Sequence, residues 1–159
     1  MACGQSELHF FEGELDWADV RALLQHHFAE MRADSPPEAC HVLPIDGLRR
    51  ADIRFISLRD PNERLLGVGA LKILEPGHGE VKSMRTHPQA LGRGIGKAML
   101  ERLIELARSQ GLKRLSLETG NSPLFTAANR LYERRGFIRC GPFAGYADTP
   151  FTHFYTRSI

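Results

Sequence analysis

The most informative stretch of the chain reads Leu91-Gly92-Arg93-Gly94-Ile95-Gly96-Lys97. It lies between a predicted strand and a predicted amphipathic helix. Three closely spaced glycines allow main-chain amides to approach a ligand closely, and a helix N-terminus adds free N–H groups and a partial positive charge. Together these features predict a binding site for a phosphate or pyrophosphate group. Arg93 and Lys97 add positive charge at the same place.

Three classes of ligand use a loop of this kind. A Walker P-loop requires glycine where this chain has Leu91, and serine or threonine where it has Ala98. The dinucleotide-binding fingerprint requires glycine at the position of Lys97, and it belongs to an early β-α-β unit, whereas this loop follows several antiparallel strand candidates. The third ligand is coenzyme A, whose pyrophosphate the loop would hold.

The elements before the loop end in an antiparallel meander. Residues 7–12 are a first strand candidate, and Asp16 is the expected N-cap of a helix that stops at Ser35-Pro36-Pro37. Residues 45–50 are a candidate second helix. Strand candidates separated by turn sequences follow at 53–58, 65–74 and 80–86, a spacing that predicts the meander.

The elements after the loop add a parallel strand pair. The helix after the loop has an apolar stripe and ends before Gly111, and the strand candidate 113–119 follows it. Such a β-α-β crossover normally joins parallel neighbouring strands. A further helix, with Ser122 as its expected N-cap, ends before Gly136. The last strand candidates are 137–140 and 151–157.

This pattern predicts an α/β (α+β) fold with a mixed, mostly antiparallel central sheet of six to seven strands and about four helices. The chain of 159 residues fits a single domain, residues 1–159. Its net charge of +2 indicates neither nucleic acid nor a membrane as a partner. The cysteines at positions 3, 40 and 140 have no C-x-x-C spacing, so we expect reduced thiols, no metal site and a cytoplasmic location. Cys140 is expected to pack within a core strand.

The chain resembles the GNAT superfamily of N-acetyltransferases, most strongly from 65 to 137. Residues 91–96 resemble the family sequence Q/R-x-x-G-x-G/A, with Leu91 in place of Gln or Arg. Residues 80–88 resemble its bulged fourth strand, and residues 131–137 resemble its L-Y-E-x-x-G-F signature. The segments 82–86, 115–120 and 140–143 carry a closer likeness to the bacterial YsnE-type acetyltransferases.

The resemblance implies that acetyl-coenzyme A binds in a V-shaped splay between the strands 80–86 and 113–119. The pantetheine arm would pair with the backbone of Met84, Arg85 and Thr86 as an added strand, and an N–H near Met84 would stabilise the thioester oxyanion. The family often has Asn where this chain has Phe125, so Asn129 or Asn121 would substitute. The remaining expected cofactor contacts are Leu91, Gly92, Arg93, Gly94, Ile95, Gly96 and Lys97.

The resemblance also implies direct attack by an amine on the thioester. Tyr132 matches the family's general acid and would also contact the cofactor. Candidate bases are Glu80 and Glu118, acting through water, and each has the alternative role of a surface carboxylate or ion-pair partner. His153 and Tyr155 are weaker candidates.

The expected acceptor is a primary amine of a small molecule, such as an amino-acid or peptide-like compound. The first helix, residues 35–50 and residues 141–153 would shape its site. Family members often form homodimers. The alternative function is a non-catalytic acyl-CoA-binding or regulatory module on the same fold.

Overall fold

The computed structural model describes residues 7–159. Within this range the strands form one seven-stranded sheet in the order β1-β2-β3-β4-β5-β7-β6. The strands are β1 His9–Glu12, β2 Ile53–Arg59, β3 Leu65–Glu75, β4 His78–Thr86, β5 Arg114–Gly120, β6 Ile138–Cys140 and β7 Thr152–Ser158. The α-helices are α1 Ala18–Asp34, α2 Ile95–Ser109 and α3 Thr126–Arg134. Short 3-10 helices span Pro37–Ala39, Ile45–Arg49, Pro88–Ala90 and Pro123–Phe125.

The mixed, mostly antiparallel sheet predicted from the sequence is confirmed. The meander β2-β3-β4 is antiparallel, and β4 pairs with β5 in parallel across the α2 crossover. The strand β7 lies between β5 and β6 and is antiparallel to both. The described part of the chain has three α-helices, because the candidate at 45–50 forms the 3-10 helix Ile45–Arg49.

The helices cover both faces of the sheet. The apolar stripe of α2, which includes Met99 and Leu103, packs with α3 against one face. A side chain on Gly69 of β3 would approach Met99 to 3.0 Å, so glycine allows α2 to lie close to the sheet. On the other face, Val20 and Leu24 of α1 pack against apolar residues of β2 and β3. The alternation of side chains along the strands supplies both cores.

Two local expectations were wrong. The helix α1 begins at Ala18 with Trp17 as its N-cap, and no side chain caps it. Asp16 forms an ion pair with Arg49 instead. Cys140 lies on β6 at the edge of the sheet and is only partly buried, because no described strand covers the outer side of β6.

Ser122 also differs from its expected role. It precedes the 3-10 helix Pro123–Phe125 and makes no capping hydrogen bond. Its hydroxyl donates to Asp34 at the end of α1 instead, at 2.7 Å.

The structure bears on the cysteines, on metal binding and on membrane-spanning helices only for residues 7–159. Cys40 and Cys140 are free thiols, and Cys3 lies outside the described residues. Between residues 7 and 159, no group of three His, Cys, Asp or Glu side chains is arranged to hold a metal ion. The helices in that range are too short or too polar to cross a membrane.

Candidate active site

A deep cleft opens where β4 and β5 separate. Their Cα pairing covers only His78 with Arg114, Gly79 with Leu115 and Glu80 with Ser116. Beyond this point the strands diverge and leave a cleft of about 860 Å³, a size suited to a small-molecule ligand. Its walls come from α1, residues 39–42, the second half of β4, the glycine-rich loop, the end of β5 and α3. The V-shaped splay expected between these strands is therefore present.

A β-bulge in β4 shapes one wall of the cleft. Val68 pairs with Arg85 and Ala70 with Lys82, so two residues of β4 face the single Gly69 of β3. Ser83 takes a φ of 54°, a left-handed conformation that is uncommon for residues other than glycine. The β5 side of β4 has no described strand partner after Glu80. The backbone there is free to pair with an extended ligand.

The predicted contacts on β4 all line this wall. Met84, Arg85 and Thr86 are each partly buried there. The guanidinium of Arg85 forms an ion pair with Glu30 of α1. This pair joins the bulged strand to the helix that covers the cleft.

The glycine-rich loop forms the end of the cleft next to α2. Gly92 and Gly94 have φ values of 75° and 76°, and Gly94 is the N-cap of α2. Within the described part of the chain, the amides of residues 92–97 donate no hydrogen bond to the backbone. No other atom lies within 4 Å of a Cβ built on either glycine. Free amides, open space and a helix N-terminus together fit a pyrophosphate group.

The structure brings most of the predicted loop contacts into the cleft. The residues that line it are Leu91, Gly92, Gly94, Ile95, Gly96 and Lys97. Arg93 is exposed and lies outside this lining. Leu91, which replaces the family's Gln or Arg, is 66% exposed. The described loop therefore offers the ligand mainly its main chain.

Tyr132 projects from α3 into the cleft wall. Its side chain is buried beside Phe137 and Tyr155, yet it lines the cleft. Its hydroxyl donates to no other described residue. Burial, with a smaller contribution from Tyr155, raises the pKa of Tyr132 to about 12. The phenol therefore stays protonated at neutral pH and can donate a proton.

Neither asparagine expected near the cofactor, Asn129 or Asn121, is among the described residues that line the cleft. The side-chain amide of Asn129 donates to the carbonyls of Gly120 and Phe125, at 3.0 and 2.9 Å. It fastens α3 to the end of β5 and is not among the cleft-lining residues described. Asn121 donates to the carbonyl of Pro150 at 2.6 Å. Both side-chain amides therefore make hydrogen bonds to the backbone within the protein.

Both predicted carboxylates lie in the cleft, and neither is a surface group. Glu80 is 1% exposed. Its Oε2 accepts hydrogen bonds from the hydroxyl of Tyr146 at 2.8 Å and from Nζ of Lys82 at 3.2 Å. Lys82 also donates to the Tyr146 hydroxyl at 2.6 Å. Burial, followed by the charge of Glu80, raises the pKa of Tyr146 above its ordinary value.

Glu118 forms a second pair at the end of β5. Its Oε2 contacts Nδ1 of His41, and both residues line the cleft. Burial raises the pKa of Glu118, although the neighbouring His41 opposes this shift. The ring of His41 lies 4.7 Å from that of Tyr146, between centroids. Glu80, Lys82, Tyr146, His41 and Glu118 thus form one connected cluster, which we call the acidic cluster.

Sequence reasoning did not identify His41, Lys82 or Tyr146 as site residues. His41 and Tyr146 lie in segments without periodic pattern, and their partners are 77 and 66 residues away along the chain. Nothing local in the sequence could reveal such contacts. The weaker candidates lie outside the cleft as described: His153 is near Asn129, and the hydroxyl of Tyr155 donates to Glu133.

Comparison with known proteins identifies relatives along most of the chain. The sequence profile of the Acetyltransferase (GNAT) family matches residues 17–137. The uncharacterized N-acetyltransferase YedL of Escherichia coli K12 is 42% identical over 140 residues, covering 88% of this chain and 87% of YedL. The uncharacterized N-acetyltransferase YsnE of Bacillus subtilis 168 is 41% identical over 152 residues, covering 96% of this chain and all of YsnE (100%). An IAA acetyltransferase of Azospirillum brasilense is 39% identical over 125 residues, covering 78% and 80%.

Solved structures share the fold. A candidate acyl-CoA N-acyltransferase of Klebsiella pneumoniae has a TM-score of 0.78 at 26% identity, covering 97% of this chain and 99% of that one. A GNAT family acetyltransferase of Elizabethkingia anophelis with acetyl-CoA bound has a TM-score of 0.72 at 17% identity, covering 98% and 100%. The sequence resemblance to the superfamily and to the YsnE-type group is confirmed. By its profile match and its relatives, this chain belongs to the GNAT family of acetyltransferases and is an acyltransferase.

Proposed function

We propose that the protein transfers the acetyl group of acetyl-CoA to a primary amine of a small molecule, such as an amino-acid or peptide-like compound. The observation that carries the proposal is the arrangement of the cleft. Free main-chain amides lie at one end, an unpaired strand edge runs along one wall, and a protonated phenol and buried carboxylates line the cavity.

The cofactor contacts follow from this arrangement. The amides of residues 92–97 would bind the pyrophosphate, with Lys97 nearby. The backbone of residues 84–86 would pair with the pantetheine amides, and an N–H near Met84 would stabilise the negative charge on the carbonyl oxygen. When bound, acetyl-CoA supplies the activated acyl group, so no protein nucleophile is needed.

Tyr132 supplies the proton for the departing sulfur. A free thiol has a pKa of about 8.5, so a donor next to the thiolate favours its departure. The raised pKa of Tyr132 keeps this donor protonated at neutral pH. Its hydroxyl is free of described partners, so it is available to the ligand.

The acidic cluster would bind and deprotonate the acceptor amine. A lysine-like ammonium has a pKa of about 10.4, and only the neutral amine can attack. Glu80 and Glu118 lie beside the splay, where their carboxylates would attract the cationic acceptor and are the candidate bases that accept its proton through water. The protein would therefore bind the ammonium form and acetylate the amine form.

The proposal also keeps three expectations from the sequence. They are a cytoplasmic location, no nucleic-acid or membrane partner, and a homodimer. Light scattering at several protein concentrations would test the homodimer, and a gel shift at low salt would test for nucleic-acid binding.

An acceptor screen tests the proposal. Purified protein is incubated with acetyl-CoA and amines that include tryptamine, spermidine, kanamycin, several amino acids and a short peptide, and released thiol is measured. We expect thiol release and a product heavier by one acetyl group with at least one amine. Tight acetyl-CoA binding without thiol release on any amine would instead favour the non-catalytic acyl-CoA-binding module.

A further inference from the structure

We infer that His41 receives the proton from the acceptor amine and that Glu118 is the residue that positions it. The inference rests on the proposed function. It assigns a role to a side chain in the segment between two short 3-10 helices, where the sequence carries no motif. In this assignment Glu118 positions the base His41, and Glu80 has a structural role.

The geometry of the His41–Glu118 pair indicates which ring nitrogen of His41 accepts the proton. Nδ1 of His41 faces Oε2 of Glu118, and both side chains are largely buried, with 25% and 13% exposed. A carboxylate oxygen is an acceptor, so we assign the proton of this hydrogen bond to Nδ1, which donates it to Glu118. A hydrogen bond at one ring nitrogen fixes the tautomer of the other. In the neutral ring Nε2 then carries the lone pair, and it has no hydrogen-bond partner among the described side chains.

The surroundings hold the ring in this orientation. The ring of Tyr146 packs against His41 at an interplanar angle of 41°. Tyr146 is itself held by Glu80 and Lys82 through its hydroxyl. A base whose ring is fixed by packing and by a carboxylate is preorganised for proton transfer.

Glu80 is already engaged in a buried ion pair. Its Oε2 already accepts two hydrogen bonds, one of them from the ammonium of Lys82. The side chains of Glu80 and Lys82 are 1% and 8% exposed. Protonating Glu80 would leave a buried ammonium without its counter-charge, which is strongly unfavourable. Glu80 therefore serves to hold Lys82 and Tyr146 in place.

The proton balance is complete with groups of this chain. The amine nitrogen bonds to the acyl carbon, the carbon–sulfur bond breaks, and the sulfur takes the proton of the Tyr132 hydroxyl. Nε2 of His41 first takes one proton from the bound ammonium and releases it to solvent. After attack it takes the second proton that the nitrogen loses on forming the amide, and the carboxylate of Glu118 stabilises the imidazolium each time. Exchange with solvent then returns a proton to Tyr132 and removes one from His41.

The test uses the amine that gives the highest rate with the unchanged protein. The variant His41→Ala should lower kcat about 100-fold and leave acetyl-CoA affinity by calorimetry unchanged, which also shows that it folds. Added imidazole should restore part of the lost rate, because it can occupy the vacated volume and accept the proton. The matched control is His9→Ala on the exposed edge strand β1, which should keep the full rate and show no effect of imidazole.

The positioning role of Glu118 is tested by combining its variant with the His41 variant. The variant Glu118→Gln should lower kcat with little change in the acceptor KM, and its effect should largely disappear in the His41→Ala background. A wild-type rate in His41→Ala, or a reduced rate that imidazole does not restore, would overturn the inference and leave the proposed function intact. Absence of transfer by the unchanged protein to any amine would overturn the proposed function itself.

Discussion

The two ends of the cleft present different groups to a ligand, main-chain amides at one end and polar side chains at the other. The proposed cofactor end uses the main chain: the loop at Gly92 and Gly94 offers free amides at the start of α2. The proposed acceptor end uses side chains, and those of Glu80, Lys82 and Tyr146 form hydrogen bonds with one another. A backbone site tolerates changes of neighbouring side chains but not a side chain on its glycines, whereas the side-chain cluster is sensitive to the loss of single polar atoms.

The largest expected effect is at the cofactor end. The variant Gly94→Glu should weaken acetyl-CoA binding at least about 100-fold, because it adds left-handed strain and places a negative charge at the helix N-terminus where the phosphates would bind. Isothermal titration calorimetry measures the change. Gly77→Glu is the matched control, since Gly77 also has a positive φ of 84° with open space around it but lies in the β3–β4 turn. Equal affinity of Gly94→Glu and the unchanged protein would exclude the loop as the pyrophosphate site.

The next effect separates binding from chemistry. The variant Tyr132→Phe should lower kcat about 100-fold, because it removes the proton donor for sulfur, and should keep acetyl-CoA affinity. Steady-state rates and calorimetry measure the two quantities. Tyr155→Phe is the control, since its hydroxyl donates to Glu133 outside the cleft, and it should keep the wild-type rate. A full rate in Tyr132→Phe would remove Tyr132 from the acid role.

A third prediction concerns α1, which covers the cleft. Burial lowers the pKa of His27 to about 4, whereas an unfolded histidine has a pKa of about 6.5. The unfolded state therefore binds more protons between these values, and the native state loses stability as the pH falls from about 6.5 towards 4. At pH 5 this loss is about 2 kcal/mol relative to pH 7.

The measurement is urea unfolding at both pH values. The variant His27→Gln should lose about 2 kcal/mol less stability between pH 7 and pH 5 than the unchanged protein. The control is His26→Gln, because His26 is the exposed neighbour on the same helix, and it should follow the unchanged protein. The same acid-induced loss in His27→Gln would contradict this account of His27.

The smallest effect is expected at Leu91. The variant Leu91→Gln restores the side chain usual in the family, yet it should change acetyl-CoA affinity by less than about 3-fold, because exposed substitutions usually change free energies by under about 0.5 kcal/mol. Leu91 is 66% exposed, so little packing is lost. A change of tenfold or more by calorimetry would show that a side chain at this position contributes to binding.

The contrast between the main-chain end and the side-chain end of the cleft also explains which parts of the site could be predicted from the sequence. The loop, the bulged strand and Tyr132 are encoded in short contiguous segments, because main-chain geometry depends on local glycines and on strand and helix order. The contacts of His41 and Tyr146 join segments 66 to 77 residues apart, so they arise only when the sheet assembles. The bond from Asn121 to the carbonyl of Pro150, 29 residues away, was not predictable for the same reason. The partners of Asn129 are only 9 and 4 residues away, and its contacts depend on the turn that joins β5 to α3.

The fold likewise has features that follow from local sequence and features that depend on tertiary contacts. Hydrophobic period and turn residues predicted the meander and the crossover helix, whereas the start of α1 and the burial of Cys140 depended on tertiary partners. Asp16 was available as a cap, but its ion pair with Arg49 takes the carboxylate away from the helix. The edge position of β6 follows from the order of β7 and β6 in the sheet, which the sequence does not specify.

The most direct test of the account is a crystal structure of the protein with bound coenzyme A. The account predicts phosphate oxygens about 2.7–3.2 Å from main-chain nitrogens of residues 92–97, and the pantetheine arm beside residues 84–86 with its sulfur near Tyr132. Coenzyme A bound outside the cleft, or phosphates held only by side chains while these amides bond elsewhere, would contradict it.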